Sequence, residues 1–332
     1  MLRAVNEANF MEATTDSVPQ NNDPLTAALA RWRAQVEKDL KGAPFEKRLV
    51  TRTIEGIALQ PLYTQADLPS GLDPEERPGE STLRRGLKAE ARSTVCRRLQ
   101  AIKRSNAKSF NEALLAALMN GQDAVVMPLP TNDSVSWSPQ TVTDLTEALA
   151  GVDLSAVPLY FDVADDAKVA VELLTGYADS TGLDLTQLKG SLAADPFAGA
   201  IRSGAAATSW SAVWDGQAKW LQSAQVTVPQ MRAVAVDLSC WNDAGANAAQ
   251  ELAFGLSSVA ELLRNLGDRG VTADALLSQL LVRFATGPQF FMELAKFRAW
   301  RVLLAKLLVG LELDPKLGGR IEVNACSSKW NK

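Results

Sequence analysis

The residues able to do chemistry are few, and one absence decides much. In AVAVDLSCWNDAGANAAQELAFGL (233–256) an apolar run, Ala233 to Leu238, meets Ser239, Cys240, Trp241, Asn242 and Asp243. An alanine-rich helical pattern follows. In a strand–loop–helix unit that junction is where catalytic groups sit. Cys240 is the sharpest nucleophile candidate, but a catalytic thiol needs a base to make its thiolate. None of the 332 residues is a histidine. Cys–His dyads, Ser–His–Asp triads and His–metal sites are therefore excluded. The phosphate-cradling patterns GxGxxG and GxxxxGK are missing as well. Cys96, Cys240 and Cys326 lack metal-type spacing and read as free thiols of a reducing cytoplasm.

A second candidate is the basic stretch RRGLKAEARSTVCRRLQAIKRSNAK (84–108), with nine Lys or Arg and one Glu. It could hold the phosphates of a coenzyme A or a nucleic acid, or be a solvated face paired with the acidic loop before it. No aromatic residues interleave its charges, which argues against nucleic acid. Trp210 and Trp214 are spaced i, i+4 on one helix face and, with Trp220, read as packing residues. Asp195-Pro196 reads as a turn that opens a helix. Asp165 and Asp166 follow a strand-like run, where one of them is expected to cap a helix.

These residues need a scaffold, and the composition supplies one. The chain is 47% hydrophobic and 22% charged, which is globular and ample for a large core. A net charge of −4 gives no field that points to nucleic acid or membrane. No stretch approaches 18 apolar residues, so none reads as a membrane span. The first 23 residues read as a polar tail without a signal-peptide core, with Met1 and Met11 both open as starts. Asp23-Pro24 opens a helix that runs to Gly42. The stretch LVTRTIEGIALQPLYT follows as an arm or edge, because Pro61 forbids a central strand. Ile54, Ile57, Leu59, Leu62 and Tyr63 supply its apolar content and, with Trp32 of the preceding helix, are the candidates for a partner interface. From about residue 95, β-type runs alternate with helical patterns. The runs are 95–102, 124–129, 157–163, 188–193, 233–240, 280–287 and 320–326. Strand then helix, repeated, is the signature of parallel β/α architecture, and seven units fall one short of a barrel.

The residues resemble the methylmalonyl-CoA mutase family, and within it the small subunits of two-subunit enzymes. The matching segments are WRAQVEKDLKG, TIEGIALQPLYTQADLP, PGESTLRRG, LAADPFAGAIRSGA, DAGANAAQELAFGLSSVAELLRNLGDRG and GPQFFMELAKFRAWRVLLAKL, ending in RIEVNACSSKW. They run in family order from about residue 24. The resemblance implies an adenosylcobalamin-dependent exchange of methylmalonyl-CoA and succinyl-CoA. The large subunit would thread the CoA through a β/α barrel with a polar inner face. The small subunit would be a degenerate copy that pairs with it.

The resemblance also implies departures wherever chemistry is expected. The family's Tyr-His pair falls on Ser239 and Cys240, a corner whose acid/base group is gone. Its CoA-contacting Arg-x-Ser falls on Gln279-Leu280-Leu281. Its substrate-covering tyrosine falls within Leu87-Lys88-Ala89-Glu90. Family small subunits are about twice as long. The chain is thus expected to stop before the eighth strand and the cobalamin-domain remnant, as a fragment or as a truncation.

The expectations are these. The fold is α/β, an incomplete TIM-type (β/α) barrel of about seven units with an N-terminal helix and extended arm. The polar tail spans 1–23, the arm 24–90 and the partial barrel 91–332, with no cobalamin-binding domain. The function is that of a non-catalytic small subunit of a heterodimeric, cytoplasmic methylmalonyl-CoA mutase. The chain itself has no catalytic, metal or cofactor-binding residue, and adenosylcobalamin sits in the large subunit, its partner. Neither nucleic acid nor membrane is a partner. The alternatives are a vestigial acyl-CoA-binding module using Arg97, Arg98, Lys103 and Arg104, and a non-functional fragment.

Overall fold

The computed structural model describes residues 24–70, 72, 75–80, 83–86, 96–129, 137–162, 167–204 and 209–331. The chain divides into two compact units, Met1–Ser70 and Gly71–Lys332.

In the first unit, helix α1 (Pro24–Asp39) buries none of its residues. Gly42, where the helical pattern was expected to stop, takes a φ of +87° three residues later. Helix α2 (Phe45–Leu49) brings in Phe45, which meets Trp32 edge-to-face at 6.2 Å and carries the Arg33 guanidinium on its ring at 3.4 Å. Strands β1 (Thr51–Arg52) and β2 (Ala58–Leu59) pair antiparallel as a short hairpin. Gly56, at φ +83°, makes its turn. Pro61 lies beyond the pairing, as its missing N–H requires.

The second unit runs α3 (Ala107–Met119), β3 (Val125–Met127), α4 (Val142–Ala148), β4 (Leu159–Phe161), α5 (Lys168–Thr181), β5 (Gly190–Ala194), α6 (Pro196–Ser203), α7 (Trp210–Thr227), β6 (Met231–Asp237), α8 (Ser239–Asp243), α9 (Ala248–Gly267), α10 (Ala273–Ser278), β7 (Leu280–Thr286), α11 (Phe290–Gly310) and β8 (Glu322–Ser327). The six strands β3 to β8 pair in chain order, every pair parallel. The sheet is rolled. A flat sheet would hold β4 and β8 about 19 Å apart, four strand spacings. Yet the Tyr160 hydroxyl of β4 donates to Glu322 Oε1 of β8 at 2.6 Å. The described residues thus form a curled parallel half-barrel with helices on its convex side.

Six strands, not seven, enter the ladder among the described residues. The run expected over 95–102 is extended from Cys96 onward but is not a strand. It lies beside the start of β3: Asp123 N–H donates to Arg98 O at 2.9 Å, and Arg98 N–H to Asp123 Oδ2 at 2.9 Å. With Asp123's side chain taking one backbone bond, a regular ladder cannot form there. The alternation of a strand survives, since Arg97 and Leu99 both turn toward the concave side.

The convex face is the main core. Met127, Phe161, Leu192, Val236, Val282 and Phe284 pack there with Phe110, Leu145, Leu221, Leu262, Trp300 and Leu304 of the helices. Burying each such side chain is worth about 1.5–3 kcal/mol before entropy is counted. Close approach tells at several glycines, and most at Gly190, where the neighbour is backbone. A Cβ on Gly190 would fall 1.7 Å from Leu159 O, at φ +134°, and one on Gly255 would fall 2.8 Å from Leu238 Cδ1. The helix starts follow side-chain caps: Asn106, Thr141, Asp195, Ser209, Asn247 and Thr272 each accept a backbone N–H of the first turn. Asp195-Pro196 opens α6 as expected. Asp165 and Asp166 lie outside the described residues.

Candidate functional site

In parallel β/α sheets the strands' C-terminal ends and the concave face are where ligands meet side chains. The facing order is set by register. Arg283 stands opposite Asp237 and Asn324, and Leu281 opposite Glu322. On β6 a bulge resets the alternation: Ala233 and Val234 N–H both donate to Gln279 O, at 2.9 and 3.1 Å. Arg232 before the bulge and Ala235 and Asp237 after it therefore all face inward. Two tiers of polar side chains result.

The inner tier crosses the curl. Arg97 donates to the Tyr160 hydroxyl at 2.9 Å, Tyr160 donates to Glu322, and Arg232 Nε lies 3.1 Å from Glu322 Oε2. Arg232 also donates to Ser278 O. Burial, then the Glu322 charge, pushes the Tyr160 hydroxyl up to about 12, so it is a donor at neutral pH. Small apolar groups pad this tier: Ala124, Ala193, Ala235 and Leu281, with Leu99 against them.

The outer tier lies at the strand ends. Arg283 of β7 pairs with Asp162 at 2.8 Å and reaches Asp237 of β6 at 3.8 Å. Asp237 also pairs with Arg202 of α6 at 2.5 Å. Burial works to lower the Arg283 pKa, but Asp237 and Asp162 outweigh it and hold the guanidinium charged. Asp195 accepts the N–H of Phe197 and Ala198 through Oδ1 and that of Asp237 through Oδ2 at 2.6 Å. Even so, burial raises its carboxyl to about 6.

Ser239 and Cys240 hang on this tier. Ser239 N–H and Oγ both donate to Asp237 Oδ1, Oγ at 2.6 Å. Cys240 Sγ donates to Asp237 O at 3.0 Å. Burial, followed by the Asp237 and Asp195 charges, pushes the thiol up to about 12. Cys240 is thus a protonated, inert thiol at neutral pH. Asp237 spends its oxygens on a helix start, a hydroxyl and two guanidinium groups.

The four basic candidates do not make one cradle. Arg97 turns into the concave face, while Arg98 turns the other way and grips Asp123 at 3.0 Å. Arg104 donates to Lys103 O at 2.8 Å. The arm residues Ile54, Ile57, Leu59, Leu62 and Tyr63 are exposed, Ile54 by 82%, while Trp32 rests on Phe45. Leu87 to Glu90 lie outside the described residues. At Gln279-Leu280-Leu281 the glutamine is buried and both leucines are core. Trp210 and Trp214 stack on each other and on Phe197, and Trp220 donates to Ala233 O, so all three are packing residues.

Several site residues were missed in the sequence. In the sequence Asp195 stands out only as a helix opener; the structure puts its carboxyl beside the corner of Asp237 and Cys240. Arg232, Asp237, Arg283 and Glu322 went unnoticed. Asp237 in 233–240 and Arg283 in 280–287 are each the single charge of an otherwise apolar run, which in a curled sheet marks the concave face; Arg232 precedes its run, and Glu322 shares its run with Arg320.

The sequence matches the methylmalonyl-CoA mutase family over residues 52–330. The chain belongs to that family. Among its relatives is a methylmalonyl-CoA mutase small subunit of Porphyromonas gingivalis, 30% identical over 304 residues, covering 91% of this chain and 47% of the relative. A small subunit of Streptomyces virginiae is 32% identical over 288 residues, covering 83% and 44%. A methylmalonyl-CoA mutase large subunit of the same organism is 27% identical over 319 residues, covering 86% and 41%. The chain spans about half the length of the curated relatives it matches.

The mutase family uses adenosylcobalamin. The residues present do not fit it. Histidine does not occur in these 332 residues, so no imidazole is present to ligate cobalt. Among the described residues no group of three or more Cys, Asp or Glu could hold a metal. Nor is any described helix long and apolar enough to cross a membrane.

Proposed function

We propose that this chain is a non-catalytic small subunit of a cytoplasmic methylmalonyl-CoA mutase, acting through a large subunit that binds the cobalamin and the acyl-CoA. One observation carries the reading. The strand-end corner, where the resemblance implies an acid/base pair, holds Ser239 and Cys240 fastened to an Asp237 that ion pairs already engage. A corner built this way holds its protons instead of exchanging them. The two tiers add to this by lining the concave face with side chains that pair with one another. The arm, taken to reach about residue 90, serves the same reading, with its exposed apolar residues Ile54 to Tyr63 offered to the partner.

The test is co-expression with the mutase large subunit of the same organism. Co-purification of the two chains, with turnover of methylmalonyl-CoA by the pair and none by this chain plus adenosylcobalamin, supports the reading. Turnover by this chain alone overturns it. Saturable CoA binding by the isolated chain would favour the acyl-CoA module instead, a role for which Arg97 and Arg98 are already engaged.

A further inference from the structure

A four-residue segment makes more specific contacts per residue than its length requires. Ser328–Asn331 leaves β8 and turns back over the strand ends. Ser328 N–H donates to Thr286 O at 2.9 Å, and Asn331 Nδ2 donates to the same oxygen at 2.7 Å. Ser328 Oγ donates to Asn242 Oδ1 at 2.7 Å and accepts from Trp330 N–H at 3.1 Å. The Trp330 indole N–H donates to Asn242 O at 2.9 Å. Lys329 pairs with Asp243 at 2.6 Å.

Four of these six contacts either fall on the last two residues of α8 or brace a group that does. That helix is five residues long, and its last carbonyls are met from just beyond it: Ala244 N–H donates to Cys240 O, Ala246 N–H to Trp241 O and Gly245 N–H to Asn242 O. Its other end is fixed by Asp237 through Ser239. Trp330 is 66% exposed, so its ring is held by the hydrogen bond and not by burial. An exposed tryptophan whose N–H joins that of Gly245 on the Asn242 carbonyl ties its segment to that helix end.

We propose that Ser328–Asn331 is a strap that locks the strand-end corner. With the strap down, α8 keeps Ser239 and Cys240 on Asp237. With it lifted, α8 loses the ties of Ser328, Lys329 and Trp330 to its last two residues, and the corner opens to water while β6 and β7 stay paired. Because the strap continues β8 and lands on Thr286, whose hydroxyl donates to Cys326 O at 2.9 Å, its position follows the pairing of β8. The device is the same whether or not the chain has a partner.

Hydrogen exchange of the full chain tests this. The amides of Asn242, Ala244, Gly245 and Ala246 report on the corner, since each donates within 238–242. Those of 252–266 in α9 report on the half-barrel. Trp330→Phe keeps a ring and loses the donor; Trp330→Ala loses both. In each, exchange at 242–246 should rise about tenfold, the size of one lost hydrogen bond, with α9 unchanged. Lys329→Gln, which removes an exposed pair, should give a smaller rise in the same peptide. No rise at 242–246 in either tryptophan variant overturns the strap. So does an equal rise in α9, which would make the segment part of global stability instead of a local lock.

Discussion

Strand β7 carries an ionic cluster on each side of its C-terminal half, and the two are built to different ends. On the concave side Arg283 reaches Asp162 and Asp237, and Asp237 reaches Arg202. Asp162 and Arg202 keep side-chain exposures of 54% and 41%. On the convex side Lys296 of α11 lies 2.7 Å from Glu251 of α9 and 2.6 Å from Glu293, and donates to Ala285 O at 2.6 Å. Glu251 in turn accepts Ala285 N–H, and Glu293 accepts Gly287 N–H, both at 2.9 Å. That cluster has no solvent at its centre: Lys296 is 1% exposed and Glu251 0%. Burial raises the Glu251 carboxyl even with Lys296 beside it. A sealed cluster wired to the backbone holds two helices to a strand. A half-open one at the strand ends holds side chains to each other.

The comparison fails first if the sealed cluster proves cheap to break. Lys296→Met leaves Glu251 buried beside a backbone N–H with no cation, and should cost about 3–5 kcal/mol. Urea unfolding measures it, and a loss below about 1 kcal/mol would show that water reaches the cluster. Next is the Asp195 carboxyl. Its folded pKa, about 6, lies above its ordinary 3.8, so the folded chain holds that proton more tightly than the unfolded one. The contribution is most favourable below about pH 4 and is lost as pH rises through 6, about 3 kcal/mol in all. Asp195→Asn removes it. The stability of the unaltered chain relative to this variant should therefore grow as pH falls from 7 to 4. A flat difference would place Asp195 in contact with water.

Tyr160→Phe should cost about 1–2 kcal/mol, because it removes the hydroxyl that links Arg97 to Glu322 without removing the ring. The same unfolding curve reads it. Arg202→Ala should cost less still, about 1 kcal/mol or under, since Arg202 is 41% exposed and water screens its pair. If Arg202→Ala proved as damaging as Lys296→Met, the two clusters would be one kind of structure and the distinction would fall.

The sequence exposed the convex side of this molecule far better than the concave side. Val234, Val236, Leu280 and Val282 stand in apolar runs bounded by turns, and those runs alone place the strands. Asp195-Pro196 announced its helix, and Gly42 marked where the first one ends. The run at 95–102 misled because its composition is strand-like. Asp123, 25 residues later, takes the Arg98 N–H that a ladder would have used. The concave tiers were hidden for a different reason. Arg97, Tyr160, Arg232 and Glu322 are up to 225 residues apart in sequence, and only the curl brings them within hydrogen-bond distance. The bulge at Ala233 and Val234 shifts Asp237 onto the inner face, and nothing local in MRAVAVD marks it. The convex cluster was equally silent, because Glu251, Glu293 and Lys296 sit in helical patterns where charges usually face water. The Ser239–Cys240 corner, by contrast, stood out at once, because a strand-end junction without histidine is conspicuous in a single reading.

The reading of the chain as a supporting subunit meets its most direct test in one size-exclusion experiment, with a cobalamin assay on the eluted fractions. This chain is mixed with the mutase large subunit of the same organism, and adenosylcobalamin is added. The chain should co-elute with the large subunit, and every fraction that converts methylmalonyl-CoA should contain the large subunit. A fraction holding this chain alone and forming succinyl-CoA, or two chains that elute apart at micromolar concentration, would contradict it.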